Sequence, residues 1–134
     1  MEDVRLIDYL VTQGNATRLV MPIENWHEQL RRGMLELAVL LAVAPGRQYG
    51  LEILRQLART DLVLTEGTIY PLLGRLEREG LMKADWVEGE GPRARKYYQL
   101  TPAGRVRTRR MCEEFRAVSA RMEQMIASVL GETR

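Results

Sequence analysis

The positions of the apolar residues divide most of the chain into helical segments. Apolar side chains recur every three to four residues from about Trp26 to Val43, which predicts a helix buried on most sides. The Pro45-Gly46 pair ends this segment. A second helix is predicted from about Gln48 to Arg59, on the spacing of the apolar residues Tyr49, Ile53, Leu54 and Leu57.

A third helix is predicted from about Glu66 to Glu79. Thr65 is a suitable N-cap, Glu66 suits the positive end of the helix dipole, and Gly80 favours a left-handed exit. The stripe predicted to be buried comprises Ile69, Leu72, Leu73 and Leu76. The residues predicted to face elsewhere are Gly67, Thr68, Tyr70, Gly74 and Arg75. Pro71 is tolerated best in a first helical turn, so it predicts that the helix begins late.

Two segments after this helix have the composition of β-strands. Leu81–Val87 and Arg95–Leu100 flank a glycine-rich stretch, which predicts a β-hairpin. Because successive strand residues point to opposite faces, one of Tyr97 and Tyr98 is expected in the core. Three helices followed by a hairpin make a winged helix-turn-helix, so double-stranded DNA is the first candidate partner.

The Thr101-Pro102 pair begins a long fourth helix, expected to end near Leu130. Six apolar residues along it, alternately four and three positions apart, form a seam: Met111, Phe115, Val118, Met122, Met125 and Val129. A helix of ~28 residues spans ~42 Å, more than a small core covers. We therefore expect the seam to be a homodimer interface. The alternative is that the helix folds back along the first helix and the N-terminal arm.

The predicted fold class is mainly α with a small β-hairpin: a winged helix-turn-helix plus a long C-terminal dimerisation helix. Residues 1–26 are predicted to be an N-terminal arm, residues 27–102 the DNA-binding domain and residues 103–134 the dimerisation helix. A chain of 134 residues with 46% apolar content buries one modest core.

The basic residues are concentrated although the formal net charge is only +2. The stretch from Gly91 to Arg110 contains no acid and seven basic residues: Arg93, Arg95, Lys96, Arg105, Arg107, Arg109 and Arg110. Such a local field attracts phosphate. Lysines are rare beside arginines, whose planar fork suits bidentate contacts with phosphate or guanine. A genome rich in G and C gives the same bias.

Composition argues against catalysis, metal binding and membrane insertion. Cys112 is the single cysteine and His27 the single histidine, so neither a disulfide nor a multi-cysteine zinc site is expected. No cofactor, nucleophile with its histidine, or phosphate loop is recognised. The first residues do not resemble a signal peptide, and no run reaches the ~18 apolar residues of a membrane span. We expect a cytoplasmic protein that is not an enzyme.

Three blocks of this sequence together resemble the PadR family of bacterial transcriptional regulators. They are Tyr49-Gly50-Leu51-Glu52-Ile53, the stretch from Gly67 to Leu81, and Arg95 to Gly104, and the resemblance covers roughly residues 30–104. It implies a homodimeric winged-helix repressor released from its operator by a small molecule or stress signal. The single C-terminal helix is similar to that of the smaller PadR subfamily, whose effectors are diverse, so no effector identity is implied.

The resemblance and the helix pattern together identify candidate DNA contacts. Arg75 is predicted to contact a base, and Thr68 and Tyr70 to contact base edges or phosphates. Contacts implied by the resemblance are Tyr49, Thr68, Tyr70, Arg93, Arg95 and Lys96. The alternative for Arg75, Thr68 and Tyr70 is a solvated helix residue. Arg93 and Arg95 are candidates for phosphate contacts, with a solvated hairpin tip as the alternative. A protein-interaction or ligand-binding module without specific DNA binding is the competing function.

An effector pocket between protomers is a further hypothesis. Trp26 and Trp86 have flat aromatic faces that would stack on a planar molecule, with ordinary packing as the alternative. The methionines of the seam offer adaptable packing for a pocket, although the heptad spacing already explains them. Cys112 is a candidate redox sensor, with an inert thiol as its alternative.

Overall fold

The computed structural model describes residues 23–60, 62, 65–89 and 94–131. In chain order the elements are α1 (Ile23–Val43), β1 (Gln48–Tyr49), α2 (Gly50–Ala58), α3 (Glu66–Arg78), β2 (Met82–Glu88), β3 (Ala94–Leu100) and α4 (Pro102–Leu130). The described residues form two compact units: a core unit within residues 31–112, and a terminal unit of residues 23–30 and 113–131. The predicted combination of helices, a small β-hairpin and a long C-terminal helix is confirmed.

Helix α1 begins at Ile23 and therefore crosses the predicted boundary between arm and domain. Its predicted end at Val43 is confirmed. The side chain of Gln48 donates from Nε2 to the carbonyl of Ala42 at 2.8 Å, which satisfies one of the carbonyls left free in the last turn of α1. Of the N-terminal arm predicted for residues 1–26, residues 1–22 lie outside the described part of the chain.

The second helix begins later than predicted because Gln48 and Tyr49 form strand β1 instead of its first turn. These two residues pair antiparallel with Tyr98 and Tyr97 of β3, giving a three-stranded sheet of order β1-β3-β2. The N–H of Tyr49 donates to Oε1 of Glu52 at 3.1 Å, a capping contact at the start of α2. The prediction of a helix from Gln48 was wrong. These residues pair with β3, about 50 positions further along the chain, and a local pattern does not reveal such a partner.

Helix α3 begins at Glu66 although Pro71 lies inside it, so the predicted late start was wrong. Proline at this position removes the hydrogen bond that its N–H would make to the carbonyl of Gly67. An interior proline costs ~3 kcal/mol relative to alanine. The helix tolerates this cost because Ile69, Leu73 and Leu76 are completely buried, each contributing ~1.5–3 kcal/mol.

Strands β2 and β3 form the predicted hairpin, in register from Met82 opposite Leu100 to Glu88 opposite Ala94. Gly80 has a φ of +77°, which confirms the left-handed exit from α3. Tyr98 is buried and Tyr97 is half-buried, as expected for neighbours on opposite faces of a strand.

The start of α4 is held against the start of β2 by Thr101. Its hydroxyl donates to the carbonyl of Gly80 at 2.6 Å, and its N–H donates to the carbonyl of Leu81 at 3.1 Å. The same hydroxyl oxygen accepts the N–H of Gly104 at 3.0 Å, which confirms the predicted N-cap. A Cβ on Gly104 would overlap the carbonyl oxygen of Leu81, so glycine permits this close approach.

The core unit is organised around one apolar cluster to which helices and sheet both contribute. Its largest completely buried members are Leu40, Ile53, Ile69, Leu73, Leu76, Met82, Val39 and Val43. Tyr98 and Leu100 add the buried face of β3 to this cluster. This packing holds one face of α3 inward, and thereby determines which of its residues face solvent.

The terminal unit exposes large apolar side chains on both of its described helical segments. On the α1 segment these are Ile23, Trp26 and Leu30. On the α4 segment they are Phe115, Val118, Met122, Met125, Ile126 and Val129, each between 40% and 63% exposed. Within the described residues, no helix combines the length and apolar character needed to cross a membrane.

Candidate nucleic-acid interface

Helix α3 has a solvent-facing strip opposite its buried stripe. Thr68 and Tyr70 are exposed, as the periodicity predicted, while Leu72 is half-buried. Thr65 occupies the predicted N-cap position, but its side chain does not cap the backbone; its hydroxyl lies 3.2 Å from that of Thr68. The strip therefore offers a hydroxyl and a phenol at the N-terminal half of α3.

Tyr70 is positioned by the first residue of α2. A Cβ on Gly50 would lie 2.5 Å from Cε1 of the Tyr70 ring and 2.8 Å from its hydroxyl oxygen. Glycine thus allows the ring to lie directly on the N-terminus of α2, while Tyr70 stays 44% exposed. The exposed strip of α3 is consequently continuous with the start of α2.

Arg75, the predicted base contact, lies in a network of ion pairs. Its guanidinium donates from Nη2 to Glu36 at 2.6 Å and from Nη1 to Glu79 at 2.8 Å. Glu36 also pairs with Arg107 of α4 at 3.3 Å. The hydrogen bond to Glu36, followed by that to Glu79, raises the pKa of Arg75 above its ordinary value. Glu36 therefore links α1, α3 and α4 within the core unit.

Arg95 and Lys96 of β3 lie on opposite faces of the sheet. Lys96 shares its face with the buried Tyr98, and its Nζ lies 3.3 Å from Oε1 of Glu77 on α3. Desolvation lowers the pKa of Lys96, but interactions with Glu77 and Tyr98 outweigh it and the net pKa is raised. Lys96 is thus charged and paired with α3, whereas Arg95 faces the other way.

Arg95 belongs to a row in which two neighbouring tyrosine rings lie between two arginines, in the order Arg95, Tyr49, Tyr97, Arg47, here called the Arg–Tyr row. The guanidinium of Arg95 lies 4.5 Å from the centre of the Tyr49 ring, and that of Arg47 lies 5.1 Å from the centre of the Tyr97 ring. The two rings meet edge to face, with centres 5.4 Å apart and planes at 79°. The row joins the wing strand β3 to the residues before α2.

Arg47, Tyr97 and Glu36 were not among the predicted site residues. Tyr97 contacts Tyr49, Arg47 lies over the Tyr97 ring, and Glu36 pairs with Arg75, so the tertiary structure brings all three to the site. Arg47 follows the Pro45-Gly46 pair and precedes the Tyr49 motif by two residues. A basic residue at that place is a weak indication of an anion contact. Glu36 and Tyr97 had no signal beyond their helix and strand patterns.

Other predicted site residues are less informative. Arg93 lies outside the described residues. Trp86, on β2, is 70% exposed, and the centre of its ring lies 6.0 Å from Nζ of Lys96. Trp26 belongs to the terminal unit and is 56% exposed. The effector pocket suggested for these two tryptophans stays a prediction. Met111, the first seam residue, packs against the core cluster, whereas the other five seam residues are exposed.

The remaining chemistry of the described residues is sparse. Within them, no group of three or more His, Cys, Asp and Glu side chains is arranged to hold a metal ion. His27 is exposed on α1, and Cys112 is a half-buried free thiol on α4. The candidate functional groups of the core unit are therefore its arginine and tyrosine side chains and the exposed residues of α3.

Comparison with known proteins shows similarity to a family of transcriptional regulators, which agrees with a DNA-binding role for this surface. Residues 39–110 match the transcriptional regulator PadR-like family. The chain is 33% identical over 103 residues to the transcriptional regulator Rv3488 of Mycobacterium tuberculosis, covering 77% of this chain and 89% of that protein. Among solved structures, a PadR family regulator from Eggerthella lenta has a TM-score of 0.75 and 27% identity, covering 82% of this chain and 96% of the other.

A second solved structure, a PadR-like transcription factor from Bacteroides fragilis, has a TM-score of 0.64 and 32% identity, over 75% of this chain and 98% of the other. Regulators of this family are DNA-binding proteins without enzymatic activity, which agrees with the expectation that this chain is not an enzyme. The family match spans more than half of the chain and coincides with the helices and hairpin described above. This protein belongs to the PadR-like family of transcriptional regulators.

Proposed function

We propose that the protein is a homodimeric repressor that binds an inverted-repeat operator in double-stranded DNA. The observation that carries the proposal is the two-sided helix α3, which buries Ile69, Leu73 and Leu76 and leaves Thr68 and Tyr70 exposed. In a helix-turn-helix dimer the two recognition helices enter successive major grooves ~34 Å apart. The operator should therefore contain two half-sites related by symmetry.

Within this interface, Thr68 and Tyr70 are the side chains best supported for contacts with base edges. Arg75 remains a proposed base contact, but its guanidinium is held by Glu36 and Glu79. A bidentate contact between Arg75 and a guanine therefore requires at least one of these ion pairs to open. Arg93 and Arg95 are proposed phosphate contacts of the wing. Lys96 would join them only by leaving Glu77.

Homodimerisation is supported by the apolar surface of the terminal unit. Five seam residues, Phe115 to Val129, stay 44–63% exposed in the single chain. Contiguous exposed apolar side chains on a protein surface typically mark an interaction site. Ile23, Trp26 and Leu30 are spaced three and four positions apart on α1 and are also exposed, so we add them to the proposed interface.

The release signal is proposed to be a small molecule or a stress. Such a signal would favour a dimer in which the distance between the two recognition helices does not match the spacing of the operator half-sites. The cytoplasm, where the regulated DNA lies, is the proposed location. A broad effector screen tests this part of the proposal: operator affinity that stays the same with every compound would count against release by a small molecule.

Selection from a randomised duplex library with the purified protein tests the main proposal. We expect enrichment of an inverted repeat, and binding of that repeat that weakens steeply with salt, because each neutralised phosphate contributes about −0.9 to the log–log slope. Absence of enrichment from an intact dimer would favour a winged-helix interaction module, or a regulator that needs a co-ligand.

The Thr68→Val substitution keeps the shape of the side chain and removes its hydroxyl. We expect operator affinity to fall roughly fivefold to 150-fold, since a specific base contact is worth ~1–3 kcal/mol. Fluorescence anisotropy with the selected operator measures this loss. A random duplex in the same assay is the control and should bind equally well to both proteins. An equal loss of affinity for both duplexes would mean that Thr68 contacts the DNA backbone and not a base.

Removing the carboxylate of Glu36 is expected to strengthen DNA binding. The Glu36→Gln substitution leaves Arg75 and Arg107 without this competitor, so both become available to phosphates. We expect the Kd for a random duplex at low salt to fall roughly threefold to tenfold, ~1 kcal/mol.

Glu114→Gln removes the same charge at an exposed position of α4 and serves as the matched control. The control should change the Kd much less than Glu36→Gln does. If Glu36→Gln instead weakens binding, the ion pair is needed to orient Arg75, and the idea that Glu36 competes with DNA for this arginine is wrong.

A further inference from the structure

Strand β1 and helix α2 border an open cavity of about 600 Å³. Three arginines line it, Arg47, Arg55 and Arg59, with Glu52 as its single acid. The lining therefore carries two more positive than negative charges. In the part of the chain that the structure describes, none of these three arginines is paired with a carboxylate. The carboxylate of Glu52 accepts the N–H of Tyr49.

The cavity adjoins the surface proposed to meet DNA. Tyr49 lines it and also carries the guanidinium of Arg95 from the wing strand on its ring. The next residue, Gly50, lies under the ring of Tyr70 on α3. A polyanion that lies across α3 and the wing is therefore brought close to the cavity arginines.

Tyr97 orders one of these arginines without lining the cavity itself. The guanidinium of Arg47 lies 5.1 Å from the centre of the Tyr97 ring, and the rings of Tyr97 and Tyr49 meet edge to face. An arginine held on an aromatic face has already lost part of its side-chain freedom, so it pays less entropy when it binds an anion.

We propose that this cavity binds a phosphate of the DNA backbone, beside the bases contacted by α3, and that Tyr97 is the positioning residue for Arg47. The inference rests on the proposed DNA-binding function and extends the interface to Arg47, Arg55 and Arg59. Guanidinium groups suit this role because their planar fork makes bidentate, charge-assisted hydrogen bonds with phosphate oxygens.

The salt dependence of DNA binding tests the phosphate site. An Arg55→Ala/Arg59→Ala variant should bind the selected operator more weakly, with a log–log salt slope reduced by roughly 0.9–1.8 per bound protomer. Arg116→Ala/Arg121→Ala removes the same charge from exposed positions on α4 and should leave the slope unchanged. Equal slopes for the wild type and the Arg55/Arg59 variant, or equal reductions in both variants, would overturn the proposal.

The same experiment separates this inference from the function on which it rests. Wild-type protein without affinity for any duplex would overturn both. Wild-type protein that binds an operator with a slope equal to that of the Arg55/Arg59 variant would overturn the cavity alone. A titration of the DNA-free protein with inorganic phosphate tests whether the cavity instead binds a free anion. Tight phosphate binding, together with an unchanged salt slope of DNA binding in the Arg55/Arg59 variant, would show that it does and would overturn the proposal.

A double-mutant cycle tests the positioning role of Tyr97. Tyr97→Phe keeps the ring and should keep wild-type DNA affinity, whereas Tyr97→Leu should weaken binding roughly threefold to tenfold through the loss of the ring under Arg47. Arg47→Ala should weaken binding in the wild type but add little in the Tyr97→Leu background. Full, independent losses from the two substitutions would show that Tyr97 does not act through Arg47.

Discussion

We expect Gly104→Ala to destabilise the protein by ~3 kcal/mol or more. Gly104 lies in the first turn of α4, where a Cβ would overlap the carbonyl oxygen of Leu81. Relief of that overlap must move α4 away from β2. This movement strains the two hydrogen bonds that Thr101 donates to Gly80 and Leu81, each worth ~1 kcal/mol net. Urea unfolding followed by circular dichroism at one fixed protein concentration measures the change.

Gly33→Ala is the matched control because it places the same methyl group inside a helix where nothing lies within 4 Å. Alanine is the better helix former, so this variant should be more stable than the wild type by ~0.5–1 kcal/mol. The two substitutions should thus have opposite signs. Wild-type stability for Gly104→Ala would mean that α4 does not approach Leu81 as closely as described.

We expect the pair Val118→Glu/Met122→Glu to convert the proposed dimer to monomers. Each side chain contributes ~1.5–3 kcal/mol when fully buried, and two copies of each would be lost from a symmetric interface. The new carboxylates would also face one another in an apolar surface. Analytical ultracentrifugation should show a dimer for the wild type and a monomer for the variant at micromolar concentration. Operator affinity should fall at least a hundredfold, because one recognition helix reads only a half-site.

Ala120→Glu/Gln124→Glu adds the same number of carboxylates on the opposite side of α4, at positions that are also exposed. This control should remain dimeric and bind the operator nearly as well as the wild type. Dimers of the Val118/Met122 variant would refute the seam as the interface. A monomeric wild type with full operator affinity would refute the dimer itself.

Much of the fold could be predicted because its signals are local. The predicted cap position Thr65, the left-handed Gly80 and the Thr101 cap before Pro102 each depend on neighbours within a few residues. Burial of Ile69, Leu73 and Leu76 followed from helical periodicity, since residues three or four apart share a face. The exposure of Thr68 and Tyr70 is the other half of the same pattern.

The candidate site was less predictable where its contacts join distant parts of the chain. The helical pattern predicts that Arg75 contacts a base, but its ion-pair partner Glu36 is 39 positions away and lies on another helix. Lys96 and Arg95 are neighbours in sequence, yet the strand sends them to opposite faces and only Lys96 meets an acid of α3. Local patterns contain no information about which distant acid a basic residue meets.

The amino-acid sequence by itself determined the order of helices and hairpin, the inward face of α3 and the family to which the chain belongs. These depend on short-range periodicity, capping and motif order. Only the tertiary structure decided that Gln48 and Tyr49 pair with β3 instead of starting a helix, that Glu36 holds Arg75, and that Tyr97 lies under Arg47. The physical reason is that strand register and long-range ion pairs are selected by how the elements pack together, after each element has formed.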